Sequence, residues 1–140
     1  MREPIMTAYA EPDTVVTEAE IEHTVALFYG RAREDALLGP VFRGAVPDAE
    51  WDAHLAKIAA FWRKVLRRQP GYEGNPMRAH VALGVLEKRH FDRWLALFEA
   101  AAREVCRPEA AEIFVERARL IAASLLHGLE FFRNREQAAG

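Results

Sequence analysis

Gly71-Tyr72-Glu73-Gly74-Asn75-Pro76-Met77-Arg78-Ala79-His80 is the stretch from which the rest of the chain is best read. Its two glycines, and its prolines counted with Pro70, interrupt any regular structure. Asn75 then reads as a helix cap, and Pro76 suits the first helical position, where its missing N–H leaves nothing unpaired. The spacing predicts a short helix over 76–83, stopped by Gly84. Met77, His80 and Leu83 are three apart and share one of its faces. A small, separately held element therefore presents one imidazole among apolar neighbours.

Working outward, Thr17-Glu18-Ala19-Glu20 is a capping box, and Ile21, Val25, Phe28 and Ala32 form one stripe with Tyr29 beside it, which predicts a helix over 17–33. Residues 1–16, with Pro4 and Pro12, show no helical period and read as a loosely held tail. Pro40-Val41-Phe42 suits a short helical turn that buries Phe42. Asp48 reads as the N-cap of a helix over 48–68, striped by Trp51, His54, Leu55, Ile58, Phe61, Trp62 and Val65. His54 falls on the apolar face, unusual company for a polar ring. Downstream, Phe91, Trp94, Leu95, Phe98 and Val105 mark a helix over 87–105. Ile113, Phe114, Ile121, Leu125, Leu129 and Phe132 mark another over 108–133, with a frayed end over 134–140. No segment alternates with period two. The expected fold is all-α, a single domain over 17–133.

Composition narrows the setting. The chain has 140 residues, 51% hydrophobic and 29% charged, enough for a proper core. A net charge of −2 argues against a nucleic-acid partner. Cys106 is the only cysteine, so no disulfide or thiolate metal site is expected. No apolar run reaches the ~18 residues of a membrane span, and Met1-Arg2-Glu3-Pro4-Ile5 lacks the apolar stretch of a signal peptide. A cytoplasmic protein, monomeric and away from membranes, is the expectation.

The chemistry-bearing candidates begin with His80. A neutral imidazole on a short, tiltable helix suits a haem iron, with Met77 and Leu83 against the macrocycle; it equally suits an ordinary histidine, and spacing leaves both open. Tyr29, His54 and Trp94 lie on or beside apolar stripes of three helices and could line the free side of a metal, or be core rings whose polar ends find backbone partners. A di-iron site is the competing metal reading, from Glu20-x-x-His23 and Glu87-x-x-His90 on helices. Facing weighs against it, because His23 is rotated by about 200° from Ile21, and the 48–68 helix offers only Glu50 as a further ligand, so it stays a remote alternative. A zinc hydrolase lacks its His-Glu-x-x-His, and Cys106 has no histidine near it in sequence.

Taken together, Phe28-Tyr29, Leu38-Gly39-Pro40-Val41-Phe42, Trp51-x-x-His54, Phe61-Trp62, Gly74-Asn75-Pro76-x-x-x-His80 and Phe91-x-x-Trp94-Leu95 resemble the third group of the truncated haemoglobins, over about residues 18–130. The resemblance implies a two-over-two helical sandwich, with the 17–33 and 48–68 helices over the last two. It implies haem b as cofactor, His80 as the proximal iron ligand and Phe42 on the porphyrin face. Tyr29, His54 and Trp94 would form the distal pocket, and Phe61 and Trp62 would pack along haem and core. Lys57 and Arg78 are candidate propionate partners by charge and reach. Val81-Ala82-Leu83-Gly84-Val85-Leu86-Glu87 departs from the family, where a Leu-Pro element is expected.

Such a pocket fits reversible binding of dioxygen, or of NO or CO. It also fits NO dioxygenation or peroxidase-like turnover with an external reductase, since the chain carries no dinucleotide fingerprint. A haemless helical interaction module is the reading from a different class.

Overall fold

Thr17 opens the first long helix as its sequence predicts. Its side chain accepts the Glu20 N–H at 3.1 Å, and Glu20 Oε1 accepts the Thr17 N–H at 2.9 Å. Two amides with no intrahelical partner are thus satisfied, an arrangement worth about 1 kcal/mol. The computed structural model describes residues 15–84 and 86–139, so all but the last two residues of the expected tail, and Val85 in the link after the 76–83 helix, lie outside the described residues.

Six α-helices and one 3-10 turn follow in order among the described residues: α1 Glu18–Glu34, α2 Gly39–Ala45, the turn Asp48–Glu50, α3 Trp51–Arg67, α4 Pro76–Leu83, α5 Lys88–Val105 and α6 Pro108–Ala139. The boundaries agree with the caps read from sequence, with three instructive differences. Asp48 does not cap α3. Its carboxylate pairs instead with Arg33, whose guanidinium lies 4.4 Å from the Trp51 ring centroid. An ion pair between segments has displaced a local cap, and the chain enters α3 through the 3-10 turn. The expected turn at Pro40-Val41-Phe42 is a full seven-residue helix. Finally, α6 continues to Ala139, past the end expected at 133. The sequence from Asn134 to Ala139 contains neither proline nor glycine to stop it.

The core confirms the all-α two-over-two sandwich. α1 packs on α3 and α5, and α5 packs on α6. Phe28 from α1, Trp62 from α3, Phe98 from α5 and Phe114 from α6 meet at its centre. Phe98 is the hub: its ring centroid lies 5.3 Å from Phe28, 5.5 Å from Trp62, 5.0 Å from Trp94 and 5.0 Å from Phe114. Such pairs contribute roughly 0.5–1.5 kcal/mol each beyond the area they bury. Ala101 and Ala102 on α5, with Ala110, Ala111 and Ala118 on α6, are fully buried small residues that let these two helices approach closely.

A second, smaller apolar cluster forms around Leu86, Phe91, Ala122 and Leu129, with Val81 and Leu83 of α4 against it. The helix carrying His80 therefore leans on this satellite and on α6, apart from the main core. Where the sequence departs from the expected Leu-Pro element, Gly84 takes a left-handed conformation (φ 73°) and ends α4. Leu86 turns inward, and His90 Nδ1 accepts the Glu87 N–H at 3.0 Å to cap α5. No helix among the described residues is long and apolar enough to cross a membrane.

Candidate functional site

His80 is positioned by the helix it sits on. Asn75 Oδ1 accepts the Arg78 N–H at 3.0 Å and starts α4, so the Pro76 carbonyl lies one turn before His80. That carbonyl oxygen is 2.6 Å from His80 Nδ1. A carbonyl only accepts, so Nδ1 carries the proton, and in the neutral ring the lone pair sits on Nε2. The Phe91 ring lies 6.4 Å from the imidazole, inclined to it by 30°. Phe91 and the Pro76 carbonyl are the contributors that residue-type reasoning passed over; the four-residue interval from Pro76 to His80 is the signal that could have found the second.

A separate group of rings gathers on α1, α2, α3 and α5. Tyr29, only 6% exposed, is at its centre. Phe42 lies edge-on to it at 5.5 Å, and His54 is perpendicular to it at 6.3 Å. Trp51 backs His54 at 5.7 Å, and Phe28 bridges Tyr29 to Trp94 at 4.5 and 5.2 Å. Burial raises the Tyr29 pKa strongly, and a smaller hydrogen-bonding influence from Trp94 offsets part of that rise. Tyr29 thus stays a protonated donor at any physiological pH. His54 is held below the usual imidazole range, first by burial and then by the charge of Lys57. Its Nε2 is buried and has no hydrogen-bond partner among the described residues. An orphaned polar atom of this kind carries a desolvation penalty unless something else occupies its line.

The remaining expected site residues divide. Phe61 is half-buried and lies 5.2 Å from Tyr72, while Trp62 is 2% exposed and makes its ring contacts with Phe61, Phe98 and Phe114. Met77 packs on Gly128 of α6. Lys57 and Arg78 are exposed, and among the described residues neither is engaged by a carboxylate. The Glu-x-x-His pairs do not build a metal site: His23 is exposed, His90 caps its own helix, and the described residues hold no cluster of three or more His, Cys, Asp or Glu side chains.

This geometry offers an imidazole with a free lone pair, and a distinct cluster of phenol, indole and neutral imidazole with spare hydrogen-bonding capacity. No protein-family model matches the chain. The group 3 truncated hemoglobin ctb of Campylobacter jejuni is 34% identical over 110 residues, covering 77% of this chain and 87% of the relative. The crystal structure of the group III truncated hemoglobin from Campylobacter jejuni superimposes with a TM-score of 0.78 at 33% identity, covering 81% of this chain and 91% of that one. The chain belongs to the group III truncated haemoglobin family.

Proposed function

We propose that this protein holds a haem through His80 Nε2 and uses it to bind a small diatomic ligand, dioxygen foremost, in a pocket lined by Tyr29, His54 and Trp94. The observation that carries the proposal is the 2.6 Å contact between His80 Nδ1 and the Pro76 carbonyl, which orients the ring and leaves Nε2 as the nitrogen a metal can use. The orphaned Nε2 of His54 fits the same group, because a bound ligand would give that buried atom the partner it lacks. When bound, the haem iron supplies a site for reversible uptake of dioxygen, NO or CO.

The chain's own residues do the rest. Phe42 and Leu83 offer apolar walls for the macrocycle, Phe61 and Trp62 stand behind, and Lys57 and Arg78 are exposed cations for its propionates. Tyr29 donates its O–H to the ligand, and Trp94, close enough to draw the Tyr29 pKa down, supports it. Neutral His54 keeps the pocket free of positive charge and is free to donate or accept at Nε2. Turnover of NO or peroxide needs the same donors together with an external reductase.

The test is direct. Purified protein is expected to be red or to take up added haemin, with a Soret band that His80→Ala abolishes or radically alters. Colourless protein that takes up no haemin ends the haem reading. Rapid mixing of the oxygen-loaded protein with NO, with and without reductant, then separates storage from catalysis.

A further inference from the structure

Gly128 sits inside α6, where glycine is less favourable than alanine, and there is a physical reason for it. A Cβ built at Gly128 would stand 2.3 Å from Met77 Cε and 2.8 Å from Met77 Sδ. The Met77 thioether fills the notch that the absent side chain leaves. A helical glycine does not always have such a tenant: a Cβ at Gly30, inside α1, would meet nothing within 4 Å.

Met77 is in the first turn of α4, three residues before His80 and on the same face. α4 has no fully buried residue. It is entered through a loop containing Gly71 and Gly74 and left through Gly84. It packs on α6 through Met77 at Gly128, while Val81 and Leu83 lie against the cluster of Leu86, Phe91, Ala122 and Leu129. Of these, the thioether against the Gly128 backbone is the contact most sensitive to sliding and rotation, because any side chain at 128 would take its place.

We propose that Gly128 is a positioning residue for His80: by seating Met77, it sets the tilt of α4 and with it the strain on the bond that His80 makes to the iron. The last clause rests on the haem reading above. Filling the notch displaces the end of a flexible side chain and leaves the backbone in place, so the variants that test the proposal retain the fold.

Met77→Ala empties the notch and Gly128→Leu fills it. In haem-free protein, hydrogen exchange of the 79–83 amides is expected to rise about tenfold or more in each. In haemin-loaded, reduced protein, the iron–histidine stretching band is expected to shift in each. The swapped pair Met77→Ala/Gly128→Met, which returns the side chain to the notch from the other helix, is expected to restore both signals. Ser124→Ala, exposed on the same helix, is expected to move neither. An unmoved stretching band in both single variants overturns the proposal whatever the exchange does. If the wild-type protein takes up no haemin, the haem reading fails, and exchange alone decides the seat: raised rates support it and unchanged rates overturn it.

Discussion

His80 Nδ1 lies 2.6 Å from the carbonyl oxygen of Pro76, and this contact decides which nitrogen the ring offers outward. A side chain of similar polarity without an in-plane nitrogen lone pair cannot substitute. His80→Gln is expected to lose the histidine-ligated absorption spectrum as fully as His80→Ala does. A spectrum in the Gln variant matching the wild type would assign the iron to another residue.

Tyr29 is the proposed donor to the ligand, and Trp94, whose influence draws the Tyr29 pKa down, is expected to act through it. Tyr29→Phe is expected to raise the dioxygen dissociation rate ten- to hundredfold, equivalent to about 1–3 kcal/mol. Trp94→Phe is expected to raise it less, and the double variant to dissociate no faster than Tyr29→Phe. Stopped-flow displacement checks this; additive effects would mean that the two side chains reach the ligand separately.

Glu20 ties the start of α1 to the α5–α6 corner. One carboxylate oxygen accepts the Arg107 backbone N–H at 2.9 Å and Nε–H at 3.1 Å, and the other accepts from Arg107 Nη2 at 3.1 Å. Burial alone would raise its pKa, but the hydrogen bonds from Arg107 and Thr17 and the charge of Arg107 bring it down to about 2. A depressed carboxylate contributes stability above its unfolded pKa of about 4.5 and loses that contribution as pH falls toward about 2. Glu20→Gln is expected to cost about 2 kcal/mol at pH 7, with the difference vanishing near pH 2. Urea denaturation of both proteins across that range is the measurement.

His54 trades stability for the site. Its orphaned Nε2 predicts that His54→Leu stabilises the haem-free protein by about 1 kcal/mol at pH 7 while altering ligand kinetics. Because its folded pKa is lowered, the unfolded chain binds the proton first, so the wild type loses stability as pH falls below about 6.5. The leucine variant is expected to lack that part of the acid-side loss. Denaturation at pH 7 and at pH 5 tests both.

Phe98 supports the pocket from behind, stacked on Trp94 at 5.0 Å and 11°. Phe98→Ala is expected to cost about 3–5 kcal/mol, the usual range for deleting a buried aromatic ring. Because Trp94 loses its backing, dioxygen dissociation in the folded fraction is expected to rise as well. Thermal melts and stopped-flow kinetics report the two effects independently.

Much of this molecule is legible in its sequence, for a reason that particular residues make plain. Thr17 with Glu20, Asn75 with Pro76, and Gly84 each satisfy or end a helix using groups within four residues, so the start of α1 and both ends of α4 can be read locally. The stripes through Phe28, Trp62, Phe98 and Phe114 likewise announce inward faces, since helical period alone decides which side chains share a side. Asp48 marks the limit: a good local cap by type, it is claimed by Arg33 from another helix.

Partnerships across helices depend on where the helices cross, and that is set by packing of the whole core. The period places Tyr29, His54 and Trp94 on inward faces, but only the tertiary structure sets Phe28 between Tyr29 and Trp94 and leaves His54 Nε2 without a partner among the described residues. By the same logic, the spacing from Pro76 to His80 belongs to the sequence. The seat of that helix on Gly128, 51 positions after Met77, belongs to the fold, because a missing side chain becomes a socket only when another helix brings something to fill it.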